Sequence, residues 1–329
     1  MKQIILRCFI LGFIIITVFI ACKKDKQLSA QYYGEPIGLT KEFFPDQELF
    51  EFNSTPKMSP NGRYIVYRVA STISYEKQGL WMIDLLTWEK YLLQKFASQP
   101  SWSPDNEKLC FTSGGNLFIS DLTGKSLQQL TQNRRSLRPD WHPTKNKIVF
   151  DSAISGIYTI EAIDIVTKLI IQSVNAENVG INAGWIGKTD SVLTKIGNVY
   201  NIVSMRTGDV LNNINAKGLA SSDIVTEPAI SLDGQKIAFQ ANNGIYVLNT
   251  DGTNVQQILY NRINRKPGTP FKSGDKLIND LSWHPDGKHI IYQQIEFTKS
   301  TIGFGNIYGE GYSTLFVLDI EKALKINKP

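Results

Sequence analysis

At 329 residues, 42% of them hydrophobic and 20% charged, the chain has enough apolar side chains for a sizeable core and too many to stay disordered. Its formal net charge is only +5, and two of the basic residues, Lys2 and Arg7, fall in an N-terminal leader. So slight a balance excludes a nucleic-acid-binding face, which needs concentrated basic charge, and no nucleic-acid partner is expected.

In chain order, the leader comes first. Residues 8–21, CFILGFIIITVFIA, are uncharged and apolar apart from Thr17. That length matches a signal-peptide core and falls short of the ~20 residues needed to span a bilayer as a helix. The junction Phe19-Ile20-Ala21-Cys22 resembles a bacterial lipobox, in which a small residue precedes a cysteine that becomes the lipidated first residue. The resemblance implies a signal peptide over 1–21 and a lipid on Cys22, anchoring the protein to a membrane of the bacterial cell envelope. Lys23 stands where an Asp would resemble an inner-membrane retention signal, which points to the outer membrane. Residues 22–53 then read as a lipidated N-terminus, tether and lead-in. With Cys8 in the leader and Cys22 lipidated, Cys110 is left alone and no disulfide is expected.

From residue 54 to 329 the sequence repeats. Six strings align: MSPNGRYIVY from Met58, WSPDNEKLCF from Trp102, WHPTKNKIVF from Trp141, WIGKTDSVLT from Trp185, ISLDGQKIAF from Ile230 and WHPDGKHIIY from Trp283. Their starts are 44, 39, 44, 45 and 53 residues apart. Each opens on a large apolar residue, passes a polar turn and enters an alternating segment such as Ile65-Val66-Tyr67 or Leu109-Cys110-Phe111. Apolar residues on both sides of a period-two pattern indicate strands covered on both faces. A second apolar element follows in each repeat, among them LWMID from Leu80, LFISD from Leu117 and LFVLD from Leu315, and then a turn and one more short strand. Four strands per 40–45 residues, six times over, predict an all-β fold: a six-bladed β-propeller of four-stranded antiparallel blades. The Trp heading four of the strings is expected to pack between blades. Residues 320–329, IEKALKINKP, are expected to supply a last short strand, with GLTKEFF (38–44) alongside it.

The strings WSPDN and WHPDG, followed by KLCF or HIIY and by LFISD or LFVLD, resemble the propeller repeats of TolB and its relatives. The resemblance covers residues from about 54 to the end and implies a cell-envelope protein that binds through its propeller. TolB has a separate α/β domain before its propeller, where this chain has only the short lead-in.

Catalytic signals are sparse, and an enzyme is not expected. Serine peptidases resembling this fold carry a G-x-S-x-G elbow, and no such motif occurs here. Sugar-acid lyases resembling it gather histidines around a metal in the central channel. The three here, His142, His284 and His289, are scattered, and two of them occupy a slot that Ser fills in other repeats, so they read as turn residues. Neither a metal nor another cofactor is expected. Cys110 shares its slot with Val66, Val149 and Ala238 and reads as a small core residue. The acidic residues closing the second elements read as turn caps. What remains are two insertions. LYNRINRKPGTPFKSGDKLIND brings Arg262, Arg265 and Lys266, and IEFTKSTIGFGNIYGEGYST brings Phe304, Tyr308 and Tyr312 among glycines. Insertions in repeat proteins become loops, and loops on rigid scaffolds carry binding, so these six are the candidate contacts for an envelope protein or a glycan. The leading reading is a lipid-anchored binding or scaffold module. The alternative is a carbohydrate-active, lyase-like enzyme working in the channel.

Overall fold

The structure is a computed structural model that describes residues 37–40, 42–44, 51–71, 74–197, 199–215, 228–241, 244–260, 272–298 and 311–326. The leader and Cys22 lie outside the described residues. Among the described residues, no helix is long and apolar enough to cross a membrane.

Six antiparallel sheets follow one another along the chain, one per repeat. Blade 1 has an inner strand Glu51–Met58, a second strand Tyr64–Ser71, a third strand Gly79–Asp84 and an outer strand Lys90–Lys95. Blades 2 to 5 repeat that order over 97–129, 135–175, 181–215 and 229–260. Blade 6 has Lys276–Trp283, His289–Phe297 and Gly311–Asp319 as its first three strands.

Six apolar clusters hold the ring together, and each joins two neighbouring blades. The alternation of the second strands is what sorts side chains between seams. Ile65 and Tyr67 pack towards blade 6, while Val66 between them packs towards blade 2. Leu109 and Phe111 likewise face blade 1, and Cys110 faces blade 3. A strand buried on both faces has no use for polar side chains, which is why the alternation reads as continuously apolar. Trp102, Trp141, Trp185 and Trp283 each enter the seam with the preceding blade. Three of them donate the indole N–H backwards: Trp102 to the Lys57 carbonyl, Trp185 to that of Asp140 and Trp283 to that of Ala229.

The ring is closed from the N-terminal side. Ile37–Gly38 pairs with Val317 and Phe316, and Glu42–Phe44 pairs with Ser313 to Gly311, so these residues take the outer position of blade 6. Residues after Asp319 do not form the expected strand. They form helix α1, Ile320–Ile326. Ile320, Ala323 and Leu324 recur at helical spacing and pack on the seam between blades 5 and 6, and the Asp319 carboxylate accepts the Lys322 N–H at 3.0 Å. Where the blade's free edge is already filled, an amphipathic segment has only an apolar surface left to cover.

The seam between blades 6 and 1 has Met58 where four other seams have Trp, and it adds a buried polar network. Ser313 Oγ accepts the Asn53 backbone N–H at 3.1 Å and a Gln293 side-chain N–H at 3.0 Å. Asn53 Nδ2 donates to Thr40 Oγ1 at 2.6 Å, and Thr40 Oγ1 accepts the Leu315 N–H at 3.2 Å.

Candidate functional site

The inner strands carry a shared irregularity. Thr55, Gln99, Arg138, Asn182 and Asp280 occupy one equivalent position, and all have positive φ, at 47°, 53°, 51°, 64° and 41°. The ladder to the second strand shifts at each of these places. Each is a β-bulge, which bends the strand and leaves a backbone N–H without a ladder partner. Pro56, Pro100 and Pro139 follow at once, tolerated because the inner strand is the free edge of its blade and its outward N–H groups face no other strand.

Three of the five bulge N–H groups are capped from the preceding blade. Asp280 Oδ2 accepts the Thr55 N–H at 2.9 Å, and Gln99 Oε1 accepts that of Arg138 at 3.1 Å. Asp151, on the second strand of blade 3, accepts that of Asn182 at 2.9 Å and is itself held by the Arg138 guanidinium at 3.2 Å. Two residues further along the inner strand, Ser101 Oγ accepts the Trp141 N–H at 2.9 Å, and Asp140 Oδ2 accepts the Trp185 N–H at 2.7 Å. Burial pushes the Asp140 carboxyl up from its ordinary range, while the positive charge of Lys57 across the channel acts in the opposite sense.

These strands enclose a central cavity of about 790 Å³. Its wall includes the charged residues Lys57, Arg138, Asp140, Lys188, Lys195 and Asp280, four basic and two acidic. It reaches solvent at the end where the inner and second strands turn, past the exposed Pro104, Lys188 and Leu232. The acidic wall groups are engaged in holding blades together, so the site reads as a shaped, basic-leaning receptacle rather than as a converging acid/base pair.

Of the residues singled out from the sequence, Cys22, Arg262, Arg265, Lys266, Phe304 and Tyr308 lie outside the described residues. Tyr312 lies in the third strand of blade 6, opposite Glu296 and Phe43. Phe297 and Gly311, within one insertion, are partners in the sheet, and Lys276, near the end of the other, pairs with Glu296 beside them. Both insertions therefore join blade 6 at one end, opposite its Pro-Asp-Gly turn.

None of the three histidines lines the cavity. His142 is a fully enclosed scaffold residue: its Nδ1 accepts the Thr144 N–H at 3.1 Å, and its Nε2 lies 3.1 Å from the Thr189 carbonyl. His284 and His289 converge on Asp286 in the turn of blade 6, a meeting that the repeat alignment did not reveal. Cys110 is fully buried, and burial pushes its thiol well up, away from the reactive thiolate. Asp84, Asp121 and Asp164 cap the turns after their strands, as expected. The wall residues Gln99, Arg138, Asp140 and Asp280 were missed. For Gln99, Arg138 and Asp140 the signal was the Pro recurring two residues before the large apolar residue, in TPKM, QPSW, RPDW and EPAI, which Asp280 in NDLSW lacks.

No family model matches the chain. The Tol-Pal system protein TolB of Francisella tularensis subsp. holarctica (strain OSU18) is 24% identical over 258 residues, covering 70% of this chain and 54% of the relative. The chain thus spans about half the length of the curated relatives it matches. Among solved structures, an oligogalacturonate lyase in complex with manganese aligns with a TM-score of 0.51 at 12% identity, over 88% of this chain and 99% of that one. The Cps50 (Swd1) propeller domain of Myceliophteria thermophila aligns at 0.52 and 12%, over 84% and 99%. These two likenesses concern the fold. In sequence the propeller is TolB-like.

Proposed function

We propose that this protein is a lipid-anchored scaffold of the cell envelope whose propeller binds a protein or glycan partner, without catalysing a reaction. The observation that carries the reading is the central cavity: about 790 Å³, open at the turn face, basic-leaning, with its carboxylates committed to joining blades. Such a receptacle recognises an acidic or hydrogen-bonding group presented by a partner. The sequence likeness to TolB, a Tol-Pal system protein by name, supports an envelope setting. In this reading Cys22 carries the lipid and the outer membrane is the home, while Arg262, Arg265, Lys266, Phe304, Tyr308 and Tyr312 add contacts from the insertions.

The test is capture from solubilised envelope extract by the purified chain, with a glycan array in parallel. Lys188 is exposed at the mouth, so Lys188→Glu reverses charge there without a folding penalty. It is expected to weaken partner binding about tenfold, equivalent to about 1.4 kcal/mol. Unchanged binding by Lys188→Glu, and by a variant lacking both insertions, would sink the reading. Cys22→Ser is expected to move the protein from the membrane to the soluble fraction.

A second reading, a lyase-like enzyme acting on an acidic polysaccharide, draws on the four basic side chains of the cavity wall. Saturable turnover of such a polysaccharide in the same experiment would establish it.

A further inference from the structure

The turn between inner and second strands follows one template in three blades. Ser59, Ser103 and Ser231 each donate a hydroxyl hydrogen bond to the Asn or Asp two residues on: Asn61 at 2.7 Å, Asp105 at 2.5 Å and Asp233 at 2.6 Å. Blade 6 departs from it twice. His284 stands in place of the Ser, and His289 stands where blades 2, 3 and 5 have Lys108, Lys147 and Lys236. Both imidazoles turn the same nitrogen, Nδ1, towards the Asp286 carboxylate, at 3.0 Å from Oδ1 for His284 and 2.6 Å from Oδ2 for His289. One ligand atom from each of the three residues lies within 4.8 Å of the others.

The hydrogen bonding around this trio favours a cation in its midst. His284 Nδ1 faces a carboxylate oxygen at 3.0 Å, and its single lone pair serves a metal only by giving up the weak 3.3 Å contact from the Asp286 backbone N–H. Two lone-pair donors held together are stabilised by a positive charge between them. His289 has a carboxylate at both ends: beyond its other nitrogen, Nε2, Asp319 Oδ2 lies 3.8 Å away. That separation is too long for a hydrogen bond, but the Asp319 charge beyond the ring raises its basicity, as the outer carboxylate of a metal-bound histidine does. His284 and His289 are largely buried, and Asp286 is one-third exposed, which leaves solvent a way in.

We propose that His284, Asp286 and His289 bind a divalent transition-metal ion of the zinc type, with Asp319 positioning His289. Two imidazoles and one carboxylate in a short turn suit such an ion and leave a position for water. The site is separate from the channel. It lies at the seam between blades 6 and 1, where a methyl group added at Gly62 would come within 3.1 Å of His284 Nε2. Blade 3 supplies an internal control, because His142 fills the same slot as His284 but Thr144 and Lys147 stand where blade 6 has Asp286 and His289.

The full chain, purified in detergent and stripped with a chelator, is titrated with Zn²⁺ and followed by metal analysis and thermal melting. The expected result is one retained zinc per chain and a melting temperature raised by about 5 °C at saturation. His284→Ser restores the turn residue of blades 1, 2 and 5, so it folds, and it loses the zinc and the shift; His289→Gln does the same. Asp319→Asn keeps the stoichiometry and weakens affinity about 10- to 100-fold. His142→Ser keeps both zinc and shift. No retained zinc in the unaltered chain, or zinc retained equally by the His284→Ser/His289→Gln double variant, overturns the proposal.

Discussion

Asp140 shows how one side chain can shape a wall and hold it in place. Its carboxylate lines the cavity and accepts the Trp185 N–H of the next blade. Removing it with Asp140→Ala leaves that N–H buried without a partner, at a cost of about 2 kcal/mol in chemical denaturation. Asp140→Asn keeps an acceptor and abolishes a charge that burial disfavours, so it costs less than about 1 kcal/mol. Equal losses for the two variants would mean that the charge, and not the hydrogen bond, matters. His142 gives a pH signature. Burial lowers its pKa from 6.5, so the folded protein keeps the ring neutral where the unfolded chain takes up a proton. Stability is therefore complete above pH 6.5 and declines as the pH falls below it. Melting curves across pH 7 to 5 should show a steeper decline for the unaltered protein than for His142→Ser.

At the level of the strand, a few positions tolerate only glycine. Gly244 opens the third strand of blade 5 at φ +148°, and a methyl group there would lie 1.7 Å from the Leu259 carbonyl oxygen. Gly244→Ala should cost at least about 2 kcal/mol. Gly156, with positive φ but open space around it, should cost less on the same change, about 1 kcal/mol. Comparable melting temperatures for the two variants would refute the steric argument. The strands themselves were legible from the sequence because seam packing writes a period-two pattern into every blade, as at Leu109-Cys110-Phe111. The fourth repeat, which lacks the Pro-Asp-Gly turn, still turns, with Gly187 lying close against Asp233 and Gly234 of blade 5. Helix α1 was missed because a short apolar run reads equally as strand or helix until its neighbours are known, although Ile320, Ala323 and Leu324 carried the helical spacing. The cavity wall was less legible. Its residues are chosen by backbone N–H groups across a seam, so Gln99, Asp140 and Asp280 show no common residue type. The convergence of His284 and His289 on Asp286 depends on the fold of a turn and left no periodic trace.

Across the whole molecule, the seam that closes the ring joins the two ends of the described chain. Between blades 6 and 1, Asn53, Ser313, Gln293 and Thr40 make a buried hydrogen-bonded network beside the apolar cluster. Apolar surfaces attract without choosing a register, whereas directional buried hydrogen bonds select one. Ser313→Ala should therefore cost about 2 kcal/mol and raise amide exchange at 37–44 and 51–58, leaving the seam between blades 3 and 4 protected. A uniform rise around the ring would contradict a local closing role. The N-terminal residues in blade 6 also set an order in time. Leu315 and Thr40 meet across 275 residues of chain, whereas most other strand pairs are made by near neighbours. Closing so long a loop costs about 5 kcal/mol of chain entropy, to be offset by one seam. A polypeptide that emerges N-terminus first must hold its opening strand unpaired until residues 311–319 arrive. For that interval it is an open arc with a bare sheet edge, and how long the interval lasts determines how much of the newly made protein is lost to sticking before the ring shuts.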